Sequence, residues 1–159
     1  MIENLSLFAP GEEIMEGTFR SRIFKDDGDD RLLVYFDSIT IKDYAEKCIE
    51  HFNNMSDEMI DLICSGIIKC AKLGGVNEEF ELPELENIRD ILKYFWCTNL
   101  EIGMPESDEI AYIIDGEGEW GETVQIVVRG NKVLYVGYDF GSSPWEDDDY
   151  YKNLNSNCI

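Results

Sequence analysis

Met59, Ile60, Ile63, Cys64, Ile67, Ile68 and Ala71 recur at helical spacing and wrap about half of a helix's circumference, more than the apolar stripe of a surface helix. A helix of that kind needs cover on more than one side, so the pattern predicts a central helix packed on a sheet. Ser56 opens it, and Asp57 and Glu58 set negative charge against the positive end of its dipole. Gly74-Gly75 ends it. Two further helices are predicted around it. Thr40 and Asp43 resemble a capping box ahead of the stripe Ile41, Tyr44, Ala45, Cys48, Ile49 and Phe52. Pro83 precedes a third apolar face: Leu85, Ile88, Ile91, Leu92, Phe95 and Trp96.

Strands flank the helices. Residues 14–24 alternate, with Met15, Gly17 and Phe19 against Glu16, Thr18 and Arg20. The polar stretch Asp26-Asp27-Gly28-Asp29-Asp30 then joins them to Leu32–Phe36 as a hairpin. In the last third, Glu109–Asp115, Thr123–Arg129 and Lys132–Tyr138 read as strands, with Gly130-Asn131 as a tight two-residue turn. The expected fold is α+β: an N-terminal β-hairpin, three central helices and a C-terminal antiparallel β-meander, forming one sheet packed on the helices. Residues 1–159 read as a single domain, with 153–159 as a loose polar tail.

The surface of such a domain must be strongly acidic. Thirty-four Asp and Glu against 13 Lys and Arg leave a net charge of −21, although 44% of the residues are hydrophobic. The apolar content separates the chain from disordered acidic tails. The imbalance grows along the chain: −4 over residues 1–36 (four basic, eight acidic), −7 over 37–100 (six, thirteen) and −10 over 101–159 (three, thirteen). A field of this sign repels nucleic acid and anionic membranes and speeds encounter with basic partners. The expected partner is therefore a basic protein.

Five cysteines without a CxxC pair fit reduced, buried thiols better than a disulfide framework. The start of the chain lacks the basic and apolar regions of a secretory signal, and no run approaches the ~20 apolar residues of a membrane span. A soluble, cytoplasmic monomer is expected. The single histidine, His51, excludes His-rich zinc sites, and its position beside an apolar stripe already accounts for it. No cofactor and no metal are implied, since Asp26–Asp30 lacks both the order and the distal Glu of a calcium loop.

Two acidic segments also carry large aromatics. Asp115-Gly116-Glu117-Gly118-Glu119-Trp120-Gly121-Glu122 joins two strands, and Gly141–Tyr151 sets Trp145 and Tyr150 beside Glu146, Asp147, Asp148 and Asp149. Packing of Trp120 and Trp145 around a small sheet explains the pattern equally well. The functional alternative is an interface of aromatic anchors ringed by carboxylates. Its residues would be Glu117, Glu119, Trp120, Glu122, Trp145, Glu146, Asp147, Asp148 and Tyr150, with Asp27, Asp29 and Asp30 as a second patch. No catalytic residue is singled out.

Gly118-Glu119-Trp120, the apolar strand after it, Gly130-Asn131-Lys132, Val133-Leu134-Tyr135-Val136-Gly137, Ser143-Pro144-Trp145 and Tyr150-Tyr151 form a recognisable run over roughly the last third. In this run the chain resembles small bacterial domains grouped with the immunity proteins of polymorphic toxin systems. Trp120 is followed by Gly121-Glu122-Thr123, without the His-Gly run that many such domains carry. The resemblance implies a non-enzymatic inhibitor that binds and neutralises a cognate toxin domain. A toxin acting on nucleic acid must itself be basic, which suits the −21 field. The alternatives are a carboxylate- or metal-dependent hydrolase and a regulatory protein-interaction domain without a toxin partner.

Overall fold

Alternation along the strands decides the architecture of the computed structural model, which describes residues 1–74, 80–138, 141 and 143–159. Seven strands form one sheet in sequence order: β1 (Glu3–Leu7), β2 (Met15–Arg20), β3 (Arg31–Phe36), β4 (Phe95–Ile102), β5 (Ala111–Gly118), β6 (Thr123–Arg129) and β7 (Lys132–Gly137). Neighbours run antiparallel except β3 and β4, which pair in parallel. A parallel pair needs a crossover. Helices α1 (Lys42–Asn53) and α2 (Asp57–Leu73) supply it and cover one face of the sheet.

Every second strand residue enters the core beneath those helices: Phe19, Leu32, Val34, Phe36, Leu100, Ile114 and Ile126 are all essentially inaccessible. Helix α1 is pinned by its polar groups as well. Tyr44 OH accepts from the Ala111 N–H at 3.0 Å. The His51 ring sits between the Tyr112 hydroxyl at 2.7 Å and the Gly130 carbonyl at 2.8 Å. Burial lowers the histidine's pKa, so a neutral ring donates from Nε2 to the carbonyl and accepts at Nδ1. That is a structural role. Helix α2 lies on β7, where a Cβ at Gly66 would stand 2.9 Å from Val136 Cβ.

Several expectations hold. The N-terminal hairpin forms, β5–β7 are an antiparallel meander, Ser56 Oγ accepts from the Met59 N–H at 3.3 Å, and Gly74 closes α2. Gly130, at φ +58°, turns β6 into β7 in two residues. Gly75 lies outside the described residues.

Others are corrected. The third helix is a 3-10 turn over Ile88–Lys93, and the run from Phe95 is strand β4. Asn87 and Asp90 form a capping box, but Tyr94 ends the turn. The face that fits a helix from Leu85 to Trp96 also fits a strand with Phe95, Cys97, Leu100 and Ile102 buried, once one residue bulges near Thr98. Pairing with β3 and β5 decides between them, because tertiary contacts override a short local pattern. Ser38, not Thr40, is the capping side chain at the start of the first helical segment; it accepts from the Thr40 N–H. Strand β1 was not expected, since its exposed residues show no apolar face of their own. Residues 153–159 are not a loose tail: Ser156, Asn157 and Cys158 bond to Tyr135, Leu134 and Val136 of β7.

Candidate functional site

The second face of the sheet is covered only in part. Helix α3 (Asp148–Lys152) and the segment after it bury Ile113, Val127, Leu134 and Tyr135 against Tyr151 and Leu154. Over β3–β5 and the start of β6 the face stays open as two adjoining depressions of about 550 and 630 Å³ that share Ile14, Tyr35 and Glu101.

The strand register lays polar side chains across this face in rows. One row runs Thr18, Leu33, Asn99, Asp115 and Gln125, and the next runs Glu16, Tyr35, Glu101 and Ile113. Asp115 is the hub. Its carboxylate accepts from Asn99 Nδ2 at 2.9 Å and from Gln125 Nε2 at 3.2 Å. Glu101, diagonal to it on β4, is hydrogen-bonded to the same carboxylate. That bond first, then desolvation and the charges of Asp115 and Asp37, raises the Glu101 pKa to about 8. Glu101 still reaches solvent, so the neighbouring carboxylates, more than burial, set the direction. The raised pKa favours a protonated Glu101 beside the Asp115 carboxylate at neutral pH.

Asp37, Glu101, Glu106, Asp115 and Glu117 line the groove, and no lysine, arginine or histidine joins them among the described residues. Three other surface depressions differ: Lys69 and Lys72, Arg89, or Lys132 and Lys152 line them beside acids. Aromatic and apolar side chains form the rim. Phe8, more than half exposed, packs edge-on against Tyr35 with ring centroids 5.5 Å apart; Trp145 and the exposed Met104 stand at the other end.

The residues expected at an interface separate under this geometry. Glu117 lines the groove, and Trp145 forms part of its wall. Arg129 fixes the Trp145 segment by donating to the carbonyls of Pro144 and Glu146, each at 2.8 Å. Asp148 is held by Arg129 at 2.7 Å and Lys132 at 2.9 Å, and the Lys132 hydrogen bond lowers its pKa. Its charge is thus already matched within the chain. Glu146, Asp147 and Tyr150 are exposed outside the groove, and Glu119 is exposed on the β5–β6 turn.

Trp120 is no surface anchor. It is 1% exposed, and its Nε1 donates to Tyr138 OH at 2.9 Å on the helix side of the sheet. Burying so large a side chain with its one donor satisfied contributes more to folding than any exposed contact it makes elsewhere. Glu122 lies on that side too, near Gly74. In the Asp26–Asp30 turn, Asp27 and Asp29 are exposed while Asp30 pairs with Arg20 at 3.1 Å. The pKa of Asp26 is raised by desolvation, then by Asp29, Asp27 and Glu117, so this turn extends the acidic field past Glu117. Ser142 lies outside the described residues.

The central acids Glu101 and Asp115 were not singled out from the sequence. The signal was the period-2 pattern of 95–102: read as a strand, it places Asn99 and Glu101 opposite the core residues Leu100 and Ile102.

A family model for a domain of unknown function (DUF6985) matches residues 10–143. The chain belongs to this family. The matched span runs from the loop before β2 to the Trp145 segment and so includes β2–β7, both long helices and nearly all of the groove. No curated protein and no solved structure matches the chain. Among the described residues no helix is long and apolar enough to cross a membrane, and no group of three or more His, Cys, Asp or Glu is placed to hold a metal ion.

Proposed function

We propose that this domain is a non-enzymatic binding protein whose open sheet face docks a basic segment of a protein partner. One observation carries the reading: among the described residues five carboxylates and no base line the groove, although five of the chain's 13 Lys and Arg line its other depressions. Like charges gathered on one face oppose folding, and protonation of Glu101 only softens the repulsion. A cationic partner relieves it. Arginine suits the site best, because its planar guanidinium pairs bidentately with carboxylates and stacks on aromatic rings such as Tyr35, Phe8 and Trp145. The partner class favoured by the resemblance in the last third is a toxin domain. Rapid electrostatic capture of a basic toxin is what an immunity protein in the same cytoplasm requires.

The test uses a fluorescent nona-arginine peptide as probe. In a titration followed by amide NMR, the largest shifts are expected at Tyr35, Asn99, Glu101 and Asp115. Shifts confined to α1 and α2, or spread evenly over the surface, would remove the groove from the account.

The hydrogen-bonded pair Glu101–Asp115 favours a second reading, a hydrolase in which the carboxyl pair activates water. A hydrolytic turnover that Glu101→Gln abolishes, with peptide binding kept within twofold, would move the reading to this enzyme.

A further inference from the structure

The segment after α3 straps the outer edge of β7 and passes from one face of the sheet to the other. On the open side Ser156 Oγ meets Tyr135 OH at 2.6 Å, and Asn157 Nδ2 donates to the Tyr151 carbonyl at 2.9 Å. At the edge, the Cys158 N–H donates to the Val136 carbonyl at 2.8 Å. On the helix side Cys158 Sγ lies 2.9 Å from Cys70 Sγ in the last turn of α2, inside the contact distance of two non-bonded sulfur atoms. Beside it, Ile159 packs on α2 at Gly66, where an added Cβ would come within 3.0 Å of Ile159 Cγ2. The two thiols are 88 residues apart, both buried, and both unbonded. No other pair of thiols shares such a contact among the described residues; Cys48 Sγ, for instance, points to the Ala111 carbonyl at 3.8 Å.

We propose that Cys70 and Cys158 are a modification site: a peroxide oxidises them to an intramolecular disulfide that locks the strap onto α2. One thiolate of the pair takes an oxygen from hydrogen peroxide, releasing hydroxide and leaving a sulfenic acid. The second sulfur displaces the hydroxyl as water and closes the S–S bond. Two thiols and one peroxide thus become one disulfide and two waters, with both thiol protons ending in water. Burial pushes the Cys70 thiol well above its ordinary pKa, so thiolate is scarce and the reaction slow at neutral pH. The strap is also tied to the groove wall, through the Asn157 bond to Tyr151 of α3. The Tyr151 hydroxyl donates to the Ser143 carbonyl and accepts from the Glu146 N–H at 3.2 Å, on either side of Trp145. Locking the strap therefore stiffens one end of the open face.

The experiment treats the folded chain with hydrogen peroxide at pH 8 and counts thiols after denaturation. The count should fall from five to three and the mass by about two daltons, one hydrogen per sulfur in the disulfide. Trypsin should then release Cys70–Lys72 linked to the peptide that begins at Asn153. The oxidised form should melt roughly 5–15 °C above the reduced form, as expected when an unfolded loop of this length is closed, and a reducing agent should reverse the change. Cys70→Ser and Cys158→Ser should each show no peroxide-induced rise. Five surviving thiols in the wild-type chain, or a linked peptide containing Cys48, Cys64 or Cys97, would overturn the proposal without reliance on either variant.

Discussion

Phe36, Leu100, Ile114 and Ile126 face the helices, while their strand neighbours Tyr35, Glu101, Asp115 and Gln125 face the other way. The two faces share a backbone and differ by one residue in phase. On the helix side several polar side chains are paired: His51 bonds twice, and Trp120, Tyr138 and the Cys70 carbonyl form a chain of hydrogen bonds. On the open side, Glu101 is hydrogen-bonded to the Asp115 carboxylate, and among the described residues no cation lines the groove with them. One face is arranged for folding. The other carries a repulsion that folding does not need, and on this excess rests the proposal that it docks a cationic partner.

The sharpest way to break the contrast is to exchange the roles of two tryptophans. Trp120→Ala should cost about 3–5 kcal/mol, because it opens a core cavity and leaves Tyr138 without its donor. Trp145→Ala on the groove wall should cost less than half of that, measured by denaturant unfolding, while weakening nona-arginine binding. Equal losses of stability would mean that the wall belongs to the core.

Next in size is His51→Ala, expected to cost about 2 kcal/mol in the same assay, since it strips partners from the buried Tyr112 hydroxyl and from the Gly130 carbonyl. An effect near zero would show that water replaces both bonds.

Much of this contrast was legible in the sequence on one side and little on the other. The helix stripes and the turn at Gly130 announced the covered face, because apolar periodicity is a local signal that the core obeys. The open face was hidden by one misplaced element. With Phe95 and Trp96 assigned to a helix, Glu101 had no strand to stand on, and its approach to Asp115 depends on a register that only the assembled sheet defines. Trp120 misled for a related reason: a Gly-Glu-rich turn looks exposed, yet the tryptophan folds back under Phe80 and Tyr138. Acidic runs such as Asp147–Asp149 are conspicuous in sequence but partly neutralised in the fold, as Asp148 is by Arg129 and Lys132.

The smallest expected effect probes the Glu101 proton. A carboxyl whose pKa is raised on folding favours the native state while protonated, so its contribution is full below its unfolded value near 4.5 and is lost as pH rises toward about 8. Glu101→Gln should therefore match the wild type at pH 4 and gain stability relative to it between pH 5 and 8. The gain should be about 1 kcal/mol or less after solvent screening is allowed for. Thermal melts across that range check the sign, and a variant that loses stability at pH 8 would remove the repulsion from the open face.

The central claim concerns where the cation goes, and equal charge changes on the two faces test it most directly. Glu101→Gln, Glu106→Gln and Glu117→Gln together remove three charges from the groove; Glu81→Gln, Glu84→Gln and Glu86→Gln remove three from the helix side. Nona-arginine affinity at low salt should fall at least tenfold, about 1.4 kcal/mol, in the groove variant and less than twofold in the other. Equal losses in both would show that net charge alone attracts the peptide and that the open face is no site.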